Sequence, residues 1–116
     1  MFESIVTIGD KLHVITRRQF EGDVRRHFMG EVIGNTGSLV ELEGVTMVCD
    51  DGRGDWTRRS ETRKRIFSLA EAGHVVNRIP RSVEIDMLMY ERIEGELLVT
   101  DGKEFELNIN EFGPRS

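Results

Sequence analysis

The chain has 116 residues, a formal net charge of -5, 32% charged residues and a single cysteine. That length suits one domain with a modest core of its own, and a lone Cys49 excludes an internal disulfide framework. No apolar run approaches the roughly 20 residues of a helical membrane span, and an acidic chain binds nucleic acid poorly unless its charge is segregated.

The charge is indeed uneven. From Asp10 to Ile66 there are 11 Lys and Arg against 10 Asp and Glu, and from Phe67 to Ser116 there are 5 against 10. Any phosphate-binding patch therefore belongs to the first part. The first twenty residues carry Asp10, Lys11, Arg17 and Arg18 in place of a secretory apolar stretch, so the expected location is the cytoplasm, with no membrane partner.

In chain order, residues 2–8 are rich in β-branched and apolar types and predict a strand, closed by a Gly9-Asp10 turn. Leu12, Val14 and Thr16 then share one face of a second strand. Over residues 17–27 the period of two is lost. Phe20 and Val24 stand four apart between Arg17-Arg18 and Arg25-Arg26, which predicts an irregular or briefly helical crossover.

Residues 28–49 alternate on both sides of an Asn35-Thr36-Gly37-Ser38 turn and predict a long antiparallel ribbon. Val40 and Leu42 occupy one face; beyond Gly44, Val45 and Met47 take the apolar positions. This change of phase predicts a bend at Gly44. Residues 50–55, Asp50-Asp51-Gly52-Arg53-Gly54-Asp55, predict a surface loop.

Residues 60–73 admit two readings. Ser60 as an N-cap, Glu61 and Arg65 as an i,i+4 pair and Gly73 as a C-cap describe a helix. Arg63 to Leu69 and His74 to Asn77 describe two strands around a short loop, and the hairpin is preferred because Val75-Val76 needs a pairing partner. Pro80 breaks the chain, and Ser82 is expected to cap one helical turn reaching Met87. Residues 88–93, 96–100 and 104–110 form a predicted three-stranded meander with glycine turns at Gly95 and Gly102. Leu97, Val99, Phe105, Leu107 and Ile109 point inward in it.

The predicted fold is all-β: a small, curved antiparallel barrel with an appended C-terminal meander and at most one or two short helical turns. It is one domain over 1–116, with the barrel core at about 2–80 and the meander at about 83–112. Phe28-Met29-Gly30-Glu31-Val32-Ile33-Gly34 followed by Leu39-Val40-Glu41-Leu42 resembles the first motif of the Sm-like proteins, within the SH3-like small barrels. The resemblance spans roughly residues 12–49, about a third of the chain, and implies a barrel and a ring-like homo-oligomer. The Asp and Asn that Sm proteins use around bound bases lack counterparts in Asn35-Thr36-Gly37-Ser38, and no second Sm motif follows, so no RNA-contacting residue carries over.

Candidate binding residues come from the sequence itself. Arg17, Arg18, Arg25, Arg26 and His27, joined by Arg58, Arg59, Arg63, Lys64 and Arg65, could meet phosphates, with Phe20 and Trp56 as the aromatic surface on which single-stranded bases stack. The competing expectation is that these arginines pair with acidic residues of this chain or of a neighbouring copy.

Arg53-Gly54-Asp55 and the Asp50, Asp51, Asp55 trio read as ordinary loop chemistry, lacking the ligand spacing of an EF-hand. His13, His27 and His74 are scattered, and no nucleophile elbow, phosphate loop or dinucleotide fingerprint occurs. No catalytic, cofactor-binding or metal-binding residue is therefore named. The expected function is a non-enzymatic module for self-assembly and protein binding. Single-stranded RNA binding through the arginine patch is the alternative, and a carboxylate enzyme without a recognisable motif is the third reading.

Overall fold

The computed structural model describes residues 5–17, 25–50, 55–70 and 73–109, the side chain of Asp50 excepted. The chain forms two compact units, Met1–Arg81 and Ser82–Ser116. The first unit carries β1 (Lys11–Thr16), β2 (Arg25–Thr36), β3 (Leu39–Asp50), β4 (Asp55–Arg58), β5 (Arg63–Ser68) and β6 (His74–Ile79). The second carries a 3-10 turn (Ile85–Met87) and β7 (Met89–Ile93), β8 (Glu96–Thr100) and β9 (Glu106–Asn108). No helix among the described residues is long and apolar enough to cross a membrane.

All ladders are antiparallel. In the first unit the order is β4-β3-β2-β1-β6, with β5 on the same edge of β3 as β4. Met47 to Asp50 face Arg58 to Asp55, and Leu39 to Gly44 face Ser68 to Arg63. Residues 59–62 thus stand opposite only Val45 and Thr46, and Arg59 N–H still reaches the Thr46 carbonyl at 2.9 Å. β4 and β5 are two halves of one bulged edge.

The long ribbon is present, with β2 and β3 joined by a tight turn at Gly37, φ +58°. The bend, however, does not come from a slipped register at Gly44. Pairing runs unbroken through Glu43↔Glu31, Gly44↔Gly30 and Val45↔Met29, and the irregularity lies between Val32 and Gly34. The apolar alternation changes phase because β3 is buried on opposite faces in its two halves. Val40 and Leu42 join a core with Val6, Leu12, Val14, Phe28 and Val32, packed by Phe67, Leu69 and Val76. Val45, Met47 and Cys49 are buried on the other face, the one that also carries His13, His27 and Met29.

Glycine is needed at the Gly30↔Gly44 pair for closeness. A Cβ on Gly44 would run into the Met29 carbonyl oxygen and lie 2.5 Å from Gly30 Cα, and one on Gly30 would lie 2.7 Å from the Glu43 carbonyl oxygen.

The expected barrel does not close: the sheet stays open between β5 and β6, which share no ladder. Both halves of the preferred 63–77 hairpin are strands, but each pairs outward, β5 with β3 and β6 with β1. Leu69 N–H donates to the Ser38 carbonyl at 2.7 Å and Arg17 N–H to the Gly73 carbonyl at 2.8 Å. Leu69 and Gly73 are therefore held to opposite sides of the open sheet.

Three smaller expectations also change. Ile5 to Ile8 are turn and bend residues rather than strand, because Asp10 gathers them: its Oδ2 accepts the Thr7 N–H at 2.9 Å and Arg78 Nη1 at 3.1 Å, and its Oδ1 accepts Arg81 Nε at 2.9 Å. Residues 25–27 of the expected crossover already belong to β2, and Asp50 and Asp55 of the expected loop already belong to β3 and β4. Glu84, not Ser82, occupies the N-cap of the 3-10 turn, without a side-chain hydrogen bond.

The meander follows its expected course. A two-residue turn with Glu94 at φ 53° and Gly95 at φ 83° joins β7 to β8, as a hairpin of this length requires. Leu97, Val99 and Ile109 are buried, Phe105 and Leu107 half-buried, and Glu104, Glu106 and Asn108 exposed. Asp101 Oδ1 accepts the N–H groups of Lys103 and Phe105 at 2.9 and 3.1 Å and so shapes the second turn.

Candidate functional site

Strand alternation places Thr16 of β1, Arg26 and Phe28 of β2, Thr46 and Val48 of β3, and Arg63, Arg65 and Phe67 of β5 on one face of the curved sheet. The apolar core fills the half of that face toward the β2–β3 turn. The other half is left as a trough of about 570 Å³, bordered by these eight residues together with His27 and Arg59 of the β4–β5 bulge.

Four guanidinium groups surround it. Among the described residues no carboxylate pairs with Arg26, Arg59 or Arg65, while Arg63 Nη2 meets the exposed Glu61 at 2.8 Å. The inner wall is aromatic, with the Phe28 and Phe67 rings 5.5 Å apart between centroids and tilted by 49°. The Thr46 hydroxyl is buried without a hydrogen-bond partner.

The sequence-predicted residues divide accordingly. Arg26, Arg63 and Arg65 come together in the trough. Lys64 stands across the β3–β5 ladder from Glu43 and points to the opposite face. Arg25 opens β2, half-buried, on that same opposite face, and Arg17 is exposed at the end of β1. Arg18, Phe20, Arg53 and Gly54 lie outside the described residues.

Trp56 is not a trough residue. It is paired with Cys49 and its ring lies 4.3 Å from that of His27, tilted by 39°. Arg58, paired with Met47, shares that far face. Arg59, also named from the sequence, lines the trough, and Phe28, Phe67 and Thr46 complete the site. The alternation Arg63-Lys64-Arg65-Ile66-Phe67 is the signal that could have found Phe67, since a strand there must put two arginines and the phenylalanine on one face.

Behind the trough, His13 and His27 are buried edge to face, 5.2 Å apart. Burial, then the neighbouring His27, pushes His13 down to about 3. Burial, then Arg25, pushes His27 down to about 4. Both rings are neutral at pH 7, and the Asn77 amide lies 3.3 Å from His13 Nδ1. The positive charge of the trough is therefore arginine alone.

Its parent unit is also the less acidic one. Residues 1–81 hold 13 Lys and Arg against 12 Asp and Glu, a balance of +1, and residues 82–116 hold 3 against 9, a balance of -6. Among the described residues no group of three or more His, Cys, Asp or Glu is placed to hold a metal ion. Comparison with protein-family models, with curated proteins and with solved structures gives no match.

Proposed function

We propose that this chain is a non-enzymatic binding module that takes single-stranded nucleic acid into the arginine-lined trough. The observation that carries this reading is the meeting of four arginines with two phenylalanine rings in a space of about 570 Å³. Guanidinium forks match phosphate oxygens, and the half-buried Phe67 ring, backed by the buried Phe28, offers a face on which any base can stack. The volume falls within the roughly 300–1,000 Å³ of ordinary ligand sites. An acidic peptide would use the arginines but leave the aromatic wall without a partner.

Binding of a fluorescent single-stranded RNA, followed by anisotropy from low to moderate salt, tests this. Four phosphate contacts correspond to a log–log salt slope of about -3, and replacing Arg63 and Arg65 by Gln should flatten it by about 1.4. No binding at low salt, or an unchanged slope in the double variant, overturns the proposal. So does displacement of the RNA by polyglutamate at equal concentration.

We infer further that the first unit is an SH3-like or Sm-like small barrel opened along one seam. In support, the last strand of the unit lies beside the first, and at the seam the Phe67 and His74 rings stand edge to face at 5.5 Å, with His74 Nδ1 3.2 Å from the Ser68 carbonyl. A crystal structure with β5 and β6 splayed apart would count against it.

Self-association is a second reading with its own observation. Leu39 and Ile66, 47% and 68% exposed, stand diagonally adjacent on the outer face of the β3–β5 edge. Light scattering that returns a monomer at high micromolar concentration would remove it.

A further inference from the structure

We infer that the trough seats the phosphorylated end of a strand rather than an internal stretch. The inference rests on the nucleic-acid reading above and concerns the shape of the site. The trough is blind. Its inner wall is Phe28 against Phe67, and behind that wall Val40, Leu42, Val14 and Leu12 are packed with no more than 1% exposure. A chain entering from the Arg26 and Val48 end meets this plug and has no way through.

Two of the four arginines stand at the blind end. Arg65 stands opposite Leu42 and Arg63 opposite Gly44, so both guanidinium groups are carried by residues flanking the plug. A terminal phosphate monoester bears about -1.5 to -2 at pH 7, against -1 for an internal diester, and an arginine pair matches the larger charge. Glu61, exposed and bonded to Arg63, is the group such a phosphate has to compete with.

Thr46 supplies the third element. It is paired with Phe28 at the plug, and its hydroxyl is buried and unpartnered although the residue as a whole is only half-buried. The exposed part is therefore not the hydroxyl. Rotation about χ1 to another staggered position exchanges hydroxyl and methyl, which gives the hydroxyl a phosphate oxygen as partner and leaves the methyl buried.

The test compares one RNA sequence in four forms: 5′-phosphorylated, 3′-phosphorylated, unphosphorylated and circular, with a nucleoside monophosphate as competitor. One of the phosphorylated linear forms should bind about tenfold tighter than the circle, roughly the worth of one charge-assisted hydrogen bond. Thr46→Val should abolish that preference without changing the salt slope, since no charge is removed, and Thr46→Ser should keep it. Circular RNA binding within twofold of both phosphorylated forms overturns end recognition while leaving the nucleic-acid reading intact. A monophosphate as tight as the phosphorylated strand overturns it in favour of a free nucleotide. Absence of binding by every form overturns both.

Discussion

Replacing Gly44 by Ala should damage the first unit severely for a change of one methyl group. The new Cβ would meet backbone only: the Met29 carbonyl oxygen and carbon, and Gly30 Cα at 2.5 Å. None of these can swing aside as a side chain does. To restore ordinary contact near 3.4 Å with the Met29 carbonyl oxygen, β2 must retreat from β3 by roughly 1.5 Å in the middle of the ribbon, a shift that close-packed interiors resist.

Losing about two ladder hydrogen bonds costs about 1–3 kcal/mol, and the overpacking strain adds about 1–3 kcal/mol. Removal of glycine's backbone freedom offsets about 0.5–1 kcal/mol. The net loss is about 1–5 kcal/mol, a large share of the ~5–15 kcal/mol that stabilises a domain. At about 4–8 °C per kcal/mol, the melting temperature should fall by at least about 4 °C.

Thermal unfolding followed by circular dichroism, with urea unfolding beside it, reads this directly. Gly34→Ala is the control: the nearest atoms to its Cβ belong to the Glu41 side chain at 3.9 Å, so its effect should stay within about 0.5 kcal/mol. If Gly44→Ala melts within about 2 °C of the parent, the Gly30↔Gly44 contact is not what sets the strand spacing, and the reasoning fails.

Acid should weaken the protein well above the carboxylate range. His13 and His27 bind protons more weakly folded, at about 3 and about 4, than at the ordinary 6.5, so the unfolded chain takes up more protons below 6.5 and stability falls with pH. Their contribution is complete above pH 6.5, and by pH 5 each has lost about 2 kcal/mol. Asp10, held below 3.8 chiefly by the Thr7 N–H, adds its own loss only at lower pH. Equal urea midpoints at pH 7.5 and pH 5 would falsify this. Trp56→Phe should leave RNA binding within about twofold, because the indole stacks on His27 away from the trough, whereas Phe67→Ala should cost about 1–3 kcal/mol of binding. Anisotropy titrations that show the reverse would move the stacking surface to the other face.

The strands with a simple alternation were legible from residues alone. Leu12 and Val14, Val40 and Leu42, and Leu97 and Val99 announced their buried faces, and Gly37 and Gly95 announced their turns. At Gly44 the same reasoning misled, because a change of apolar phase looks alike whether the strand slips or its two faces are buried in turn. Periodicity records burial, not register. Ile5 to Ile8 looked like a strand by composition, yet one buried carboxylate with two arginines about 70 positions away outweighed that propensity. The site was half visible. Arg26, Arg59, Arg63 and Arg65 were named from clustering along the chain, but Arg25, Arg58 and Lys64 were named with them because clustering ignores which face a residue takes. Thr46 carries no sequence signal at all, since its peculiarity is a missing partner.

The pairing of β1 with both β2 and β6 has a consequence for synthesis. The edge of Lys11–Thr16 that meets His74–Ile79 has its partner about sixty residues later, and the Asp10 carboxylate its arginines later still. At roughly 5–20 residues per second, a ribosome takes about 3–13 s to supply that partner after β1 is made. Once β2 and β3 have followed, β1 is paired along one edge and unmatched along the other until β6 appears. The nascent chain then offers a growing sheet with an open strand to any neighbour.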